Sequence, residues 1–281
     1  MFTPIAASIA FALVEPARRG RALSLVFLGI SLSYVIGLPL GSWLGVRLGW
    51  QWPIGLITAL SALCFAALAA LLPRQIAAPG ASFAGLTRLL LLPAVAWTLA
   101  LTLLYFTAIF LVFSYIGPVL QTLYPMSGER LAFTLLLFGL AGTAGTLIGG
   151  WAGDRFGTRR TLIAQLAVLG SMMALVPLTH GHYAALVAVF VVWGIAGFGM
   201  TAPQQSRLAA TTPAQAPILL SLNTSMLYFG TATDAALGGA LSASVGFDRL
   251  AWVSVLFTCA GLVTLWRGGN GSATAKAATP G

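Results

Sequence analysis

Few residues in this chain could carry chemistry, and Asp234 comes first. It is the one acid inside a long apolar run, residues 218–245. An ionisable group at bilayer depth costs several kcal/mol unless it is paired or hydrated. Such a carboxylate is therefore read as the carrier of a coupling proton or a contact for a cationic substrate, with an inter-helix hydrogen bond as the alternative. A second constellation is Gly150-Trp-Ala-Gly-Asp154-Arg155-Phe-Gly157-Thr-Arg159-Arg160, which places several charges around a turn between two apolar runs. Asp154 is positioned to cap the helix that follows, and the arginines hold the turn on one side of a membrane. A third set consists of polar and aromatic side chains within apolar runs: Tyr34, Tyr105, Phe106, Tyr115, Trp193, Asn223 and Tyr228. These are candidates to line a cavity, and ordinary packing is the alternative for each. The sequence has no paired carboxylates, no Ser/His/Asp arrangement, no metal-ligand cluster and no phosphate-binding glycine loop, which argues against an enzyme or an ATP-driven pump. No cofactor is expected. Cys64 and Cys259 lie in separate apolar runs and read as small core residues.

The elements that must position these residues are membrane helices. Apolar residues make up 59% of the 281 positions and charged residues 7%, against about 25% charge in soluble domains. A chain this poor in charge needs lipid around it, since it cannot cover a water-facing surface. A spanning helix takes about 20 apolar residues. Spans are expected at residues 22–46, 52–72, 94–117, 131–151, 161–178, 183–203, 218–245 and 250–266, with residues 2–14 forming a partial one. The positive charge does not point to nucleic acid, because it is spread over loops. Arg18, Arg19, Arg21, Arg74, Arg88, Arg155, Arg159, Arg160, Arg207, Arg267 and Lys276 fall in one set of alternate loops, and Arg47, Arg130 and Arg249 in the other. Eleven against three places the first set and the C-terminus in the cytoplasm. Met1 then falls inside the membrane, and the chain is expected to be truncated at its N-terminus.

The sequence also repeats. A shift of 197 residues aligns Pro16 with Pro213, Leu23-Ser24-Leu25 with Leu220-Ser221-Leu222, Gly41 with Gly238 and Gly49 with Gly246, ungapped and with nine identities. Within the first copy Gly37, Gly41, Gly45 and Gly49 recur every four residues and so share one helix face. Asp234 takes the place of Gly37 in the second copy. Gly145, Gly149 and Gly153 form another such stripe, the pattern that lets helices approach closely in lipid. Pro39 adds a bend within the first stripe. Parallel repeats of this length suggest a transporter built from two six-span halves.

Two motifs carry a resemblance to a known family. Gly37-Leu-Pro39-Leu-Gly41, in the span after the Arg-rich segment, resembles the antiporter motif of drug/proton antiporters, although Ser42 stands where a glycine is usual. Gly150, Asp154, Arg155, Gly157, Arg159 and Arg160 resemble the signature loop of the major facilitator superfamily. The resemblance covers essentially the whole chain, and bacterial twelve-span efflux permeases of the multidrug and arabinose-efflux kind look most similar. It implies an all-α, polytopic helical bundle with an incomplete first six-helix half and a complete second one. The expected organisation is residues 1–73 for the end of the first half, 74–88 for a cytoplasmic linker, 89–267 for the second half and 268–281 for a disordered tail. It further implies proton-coupled efflux of a small drug-like or sugar-like compound by alternating access. The signature loop would be a gating latch, and Gly37, Pro39, Gly41 and Gly45 the packing motif. Proton coupling comes from the resemblance alone, because the fourth-span motif tied to it would precede Met1. The expected partners are a small-molecule substrate, protons and the lipid bilayer. The protein should be monomeric and should sit in a bacterial inner membrane. A non-transporting membrane fragment or scaffold is the other reading left open.

The charge asymmetry is testable directly. In a cysteine-free background, single cysteines at Thr158 and Ser272 should stay unlabelled by an impermeant maleimide applied outside intact cells. Labelling of both would reverse the topology.

Overall fold

The computed structural model describes residues 29, 33–71, 89–212 and 215–268, and among them every regular element is helical. A π-helical turn, Ser33–Gly37, leads into α1 (Leu38–Leu48). Then come α2 (Gln51–Leu71), α3 (Pro93–Phe113), α4 (Ile116–Leu123), α5 (Gly128–Phe156) and α6 (Thr158–Leu175). A short 3-10 turn precedes α7 (Tyr183–Gly199), α8 (Thr201–Thr211), α9 (Ala216–Val245) and α10 (Leu250–Gly268). The π turn sits immediately before Pro39, which has no N–H to give Val35, so the backbone widens where the bend was expected. Much of the first expected span and the expected linker lie outside the described residues.

Six helices among the described residues are long and apolar enough to cross a membrane: Gln51–Leu71, Pro93–Phe113, Gly128–Phe156, Thr158–Thr179, Tyr183–Thr211 and Leu250–Gly268. The 30-residue α9 is not one of them. Its seven Ser and Thr residues, together with Asn223 and Asp234, lower its hydropathy; six of the hydroxyls bond to carbonyls of α9 itself, while Asn223 and Asp234 meet a neighbouring helix. At the other extreme, α2 buries no residue at all, so the apolar side chains of this 21-residue helix rely on lipid or on further helices for contact.

The chain divides into two compact units. One contains Ala81–Pro125 and Ala141–Gly281, and the other contains Phe2–Gly80 and Met126–Leu140. In the first, α3 packs against α9 and α10, α6 against α7 and α10, and α8 against α9 and α6. Leu89, Val95 and Leu99 meet Leu208, Leu219 and Leu222 at one end of this bundle. In the second unit α1 packs on α2, and Arg47 at the end of α1 pairs with Glu129 in the first turn of α5 at 2.5 Å. Both partners are more than half exposed, so the pair adds little stability. It borders a cavity of about 290 Å³ lined by Trp43, Val46, Arg47, Ser127, Gly128 and Glu129.

Close backbone approach is concentrated on one glycine stripe. A Cβ added at Gly145 would fall on the carbonyl of Ile195, one at Gly149 on the carbonyl of Gly199, and one at Gly153 would lie 3.3 Å from Pro203. Pro203 cannot donate to Gly199, four residues earlier, and the carbonyl it leaves free lies against Gly149. The stripe of the first repeat behaves differently. Within its own unit an added Cβ would meet nothing within 4 Å at Gly41, and only 3.8 Å contacts at Gly37 and Gly45. Within this unit the described residues leave the Gly41 face of α1 open.

The repeat reappears in backbone geometry. Gly49 ends α1 at φ 99°, ψ 158°, and Gly246 ends α9 at φ 85°, ψ 154°. Each N–H bonds to the residue four back, Gly45 and Ser242 respectively. Positive φ is cheap only for glycine, so the two identical positions end their helices in one way for one reason.

Overpacking costs about 1–3 kcal/mol even in forgiving cores, and at Gly149 the obstacle is backbone, which has no rotamer to change. Gly149→Val should lower the melting temperature by several degrees in detergent, whereas Gly41→Val should leave it nearly unchanged. Equal losses at both sites would contradict this packing.

Candidate functional site

The candidate site grows from the seam between α3 and α9. The span expected at residues 94–117 is not one continuous helix. It stops at Phe113, turns through Ser114 and Tyr115, and resumes as α4. Pro118 explains the break, because it has no N–H to offer the Ser114 carbonyl four residues before it. The Ser114 hydroxyl is thereby turned toward α9, where it donates to Asp234 Oδ2 at 3.0 Å. The next hydroxyl, that of Tyr115, donates to the Ala235 carbonyl at 2.8 Å. The Tyr115 ring lies flat enough on α9 that a Cβ added at Gly238 would strike it, and its other edge meets Phe247, with centroids 5.9 Å apart.

Asp234 itself is fully buried, with 0% exposure. Its second oxygen, Oδ1, is buried with no hydrogen-bond partner among the described residues. A carboxylate in that position can keep a proton, accept one from a carrier, or attract a cation. No basic side chain forms an ion pair with it among the described residues.

Further along the same seam the helices are linked by neutral polar groups. Thr107 donates to the Gly230 carbonyl at 3.3 Å. Thr102 donates to Asn223 Oδ1 at 2.6 Å. Gln204, fully buried in α8, donates to the Thr98 carbonyl at 2.6 Å and to Thr102 Oγ1 at 2.9 Å. One node thus joins α3, α8 and α9, and it lies next to the second helix break, at Met200 between α7 and α8. Gln204 Oε1 has no partner among the described residues.

The residues expected to line a cavity are distributed unevenly. Tyr105, Phe106, Trp193 and Asn223 are buried in the first unit. Tyr105 stacks on Phe106 with centroids 4.4 Å apart, and Trp193 meets Phe190 edge-on at 4.8 Å. Tyr115 is half-buried at the α3–α4 break, while Tyr228 is 50% exposed. The Tyr34 side chain lies outside the described residues. The sequence singled out Asp234, Asn223 and Tyr115 but not Ser114, which bonds to Asp234, nor Thr102 and Gln204, which form the node with Asn223. The available signal was the proline placed four residues after Ser114 and four after Gly199.

The signature loop corrects one expectation. Asp154 lies in the last turn of α5 and does not cap α6. The N-cap of α6 is Gly157, at φ 86°, with no side-chain cap hydrogen bond. The two-helix corner is too tight for Asp154 to come around, and glycine supplies the positive φ that the corner needs. Arg155, Arg159 and Arg160 are all exposed around it. Cys64 and Cys259 are free and exposed rather than in the core.

The sequence profile described as Major Facilitator Superfamily matches residues 1–205 and 126–278. The chain belongs to the major facilitator superfamily. This is a family of transporters rather than enzymes, and the helical bundle is of its type. A relative in Bacillus subtilis (strain 168), the uncharacterized MFS-type transporter YbcL, is 28% identical over 251 residues, which cover 89% of this chain and 64% of that protein. The chain thus spans somewhat less than two thirds of that relative's length. Among solved structures, an inward-facing, unoccupied bacterial homologue of the human lysosomal transporter Spinster superposes with TM-score 0.70 at 15% identity, covering 96% of this chain and 74% of that one. The Escherichia coli fucose:proton symporter superposes with TM-score 0.61 at 14% identity, covering 95% and 72%. These likenesses establish the fold of this major facilitator protein, a multi-pass membrane protein.

The node makes a quantitative prediction. Inter-helix hydrogen bonds in lipid are worth about 0.6 kcal/mol on average and up to about 1.7. A double-mutant cycle with Thr102→Val and Asn223→Leu should give a coupling in that range, measured by reversible unfolding in bicelles. Additive effects would mean that the short contact carries no energy.

Proposed function

We propose that this protein is a secondary active transporter that exports a small amphipathic compound, drug-like or sugar-like, in exchange for protons by alternating access. Family membership supports transport, and the observation supporting coupling is Asp234. It is a fully buried acid with one oxygen held by Ser114 and the other without a hydrogen-bond partner among the described residues. A carboxyl group so placed, with no basic side chain paired to it among the described residues, is suited to take up and release a proton. Losing that proton leaves a charge that the bundle must hydrate or rearrange to accommodate, and this links protonation to conformation.

In this reading Asn223 and Tyr115 on the α3–α9 seam contribute to the substrate path, together with Tyr34, Tyr105, Phe106, Trp193 and Tyr228. Gly150–Arg160 acts as a gating loop, and Gly37, Pro39, Gly41 and Gly45 shape the face of α1 that moves. The molecule works as a monomer in a bacterial inner membrane with its C-terminus in the cytoplasm.

Liposomes with an imposed proton gradient provide the test. Gradient-driven export of a fluorescent dye should fall at least tenfold with Asp234→Asn, while dye equilibration without a gradient persists. Ser114→Ala should shift the pH profile of export without abolishing it. Undiminished gradient-driven export by Asp234→Asn at every pH would make Asp234 a packing residue.

A further inference from the structure

At the end of the first unit where α3 begins and α8 and α10 finish, positive charge gathers, and among the described residues no acid pairs with it. Arg207 in α8 is half-buried, and its Nη1 is buried without a hydrogen-bond partner among the described residues. Its Nη2 lies under the last residue of α10. A Cβ added at Gly268 would stand 2.9 Å from that nitrogen and 3.2 Å from Trp97 Cβ. The preceding residue, Arg267, holds its guanidinium 5.8 Å from the centre of the Trp97 ring. Arg159, in the first turn of α6, adds its charge to the surroundings of Arg207. None of the three arginines forms an ion pair among the described residues.

The sequence explains the imbalance. Its five acids are Glu15, Glu129, Asp154, Asp234 and Asp248. Glu129 is engaged by Arg47, Asp248 lies 3.6 Å from Arg249, and Asp234 is inside the bundle against Ser114. Asp154 is exposed in the last turn of α5 and pairs with none of the three arginines. Residues 72–88, 213–214 and 269–281 contain no acid at all. The helix dipoles answer only part of the charge. The C-terminal end of α10 favours Arg207 and Arg267, but Arg159 stands at the positive end of α6, where a cation is disfavoured. Among the described residues the partly buried Arg207 guanidinium, with an unused donor and further cations around it, has no anion to meet it.

We infer that Arg207 and Arg267, with the Trp97 ring as one wall and the charge of Arg159 adding to the local field, bind a phosphate-bearing anion, the headgroup of an acidic phospholipid. Arginine forks suit phosphate oxygens, and basic pockets between spans are where such headgroups bind. The lipid source follows from the apolar surface at the same end. Leu91 at the entry to α3 is 79% exposed and Trp266 at the end of α10 is 73% exposed, and both provide a surface for acyl chains beside the charged site.

The test uses the purified chain in neutral detergent, with melting and native mass spectra recorded alone and with phosphatidylglycerol, phosphatidylcholine or inorganic phosphate. Phosphatidylglycerol should raise the melting temperature and remain as a one-lipid adduct, and phosphatidylcholine should do neither. Arg207→Gln should weaken phosphatidylglycerol binding at least tenfold. Arg159→Gln, an exposed change that leaves the fold intact, should weaken it severalfold. If inorganic phosphate stabilises the wild type as strongly as the lipid, the anion site stands and its occupant is soluble. Unchanged phosphatidylglycerol binding in both variants, or equal binding of phosphatidylcholine, overturns the site.

Discussion

Hydrocarbon offers no hydrogen bonds, so a break in a spanning helix exposes backbone groups that only another part of the protein can answer. This chain breaks two of its helices with proline, at Ser114–Tyr115 and at Met200. The first break turns two hydroxyls toward α9, to Asp234 and to the Ala235 carbonyl. The second sets the freed Gly199 carbonyl against Gly149 and brings Gln204 into the node with Thr98, Thr102 and Asn223. Two of the polar groups of α9, Asn223 and Asp234, are answered near these breaks. They lie where a broken or hydroxyl-bearing neighbour can bond them. In lipid, where apolar contact between helices competes with equally apolar tails, such bonds and close backbone contacts do much of the work of association.

The parts of this arrangement that rest on one-dimensional rules were legible in the sequence. Span positions follow from apolar run length, and helix ends at Gly49 and Gly246 follow from a repeat that places glycine where positive φ is required. Asp234 stood out because an acid is rare at that depth. The partners of Asp234 were not legible, because a serine in an apolar run gives no sign of which way it points until a proline four residues later has broken the helix. Gln204 was hidden for the same reason, behind Pro203. Asp154 was assigned to the wrong helix end because the corner turns within Gly157, and sequence spacing alone cannot say on which side of a glycine the turn is made.

Asp234 also shows why structural and functional readings of a buried acid are not exclusive. The Ser114 bond fixes one oxygen and orients the carboxyl group, while the unpartnered oxygen leaves it chemically unfinished. A half-satisfied polar group costs more than an apolar replacement, which is the physical reason the group stands out among the described residues. Its position also matters: the other repeat has a glycine there, so the acid is specific to one copy of a duplicated frame and is not needed by the frame itself.

The contact between α5 and α7 at Gly145 and Gly149 is made by backbone against backbone. Such a contact has no rotamers. When interdigitated side chains slide past one another, they must leave their wells and re-enter new ones, and each rotamer-rich group that is reordered carries an entropic toll. Two glycine faces have nothing of this kind to reset. At these two positions the seam sets no rotamer, while the Phe198 ring against Gly142 and the Pro203 ring against Gly153 bound it on either side. The helices are thus held closest by backbone shape, and side chains enter only at the edges of the stripe.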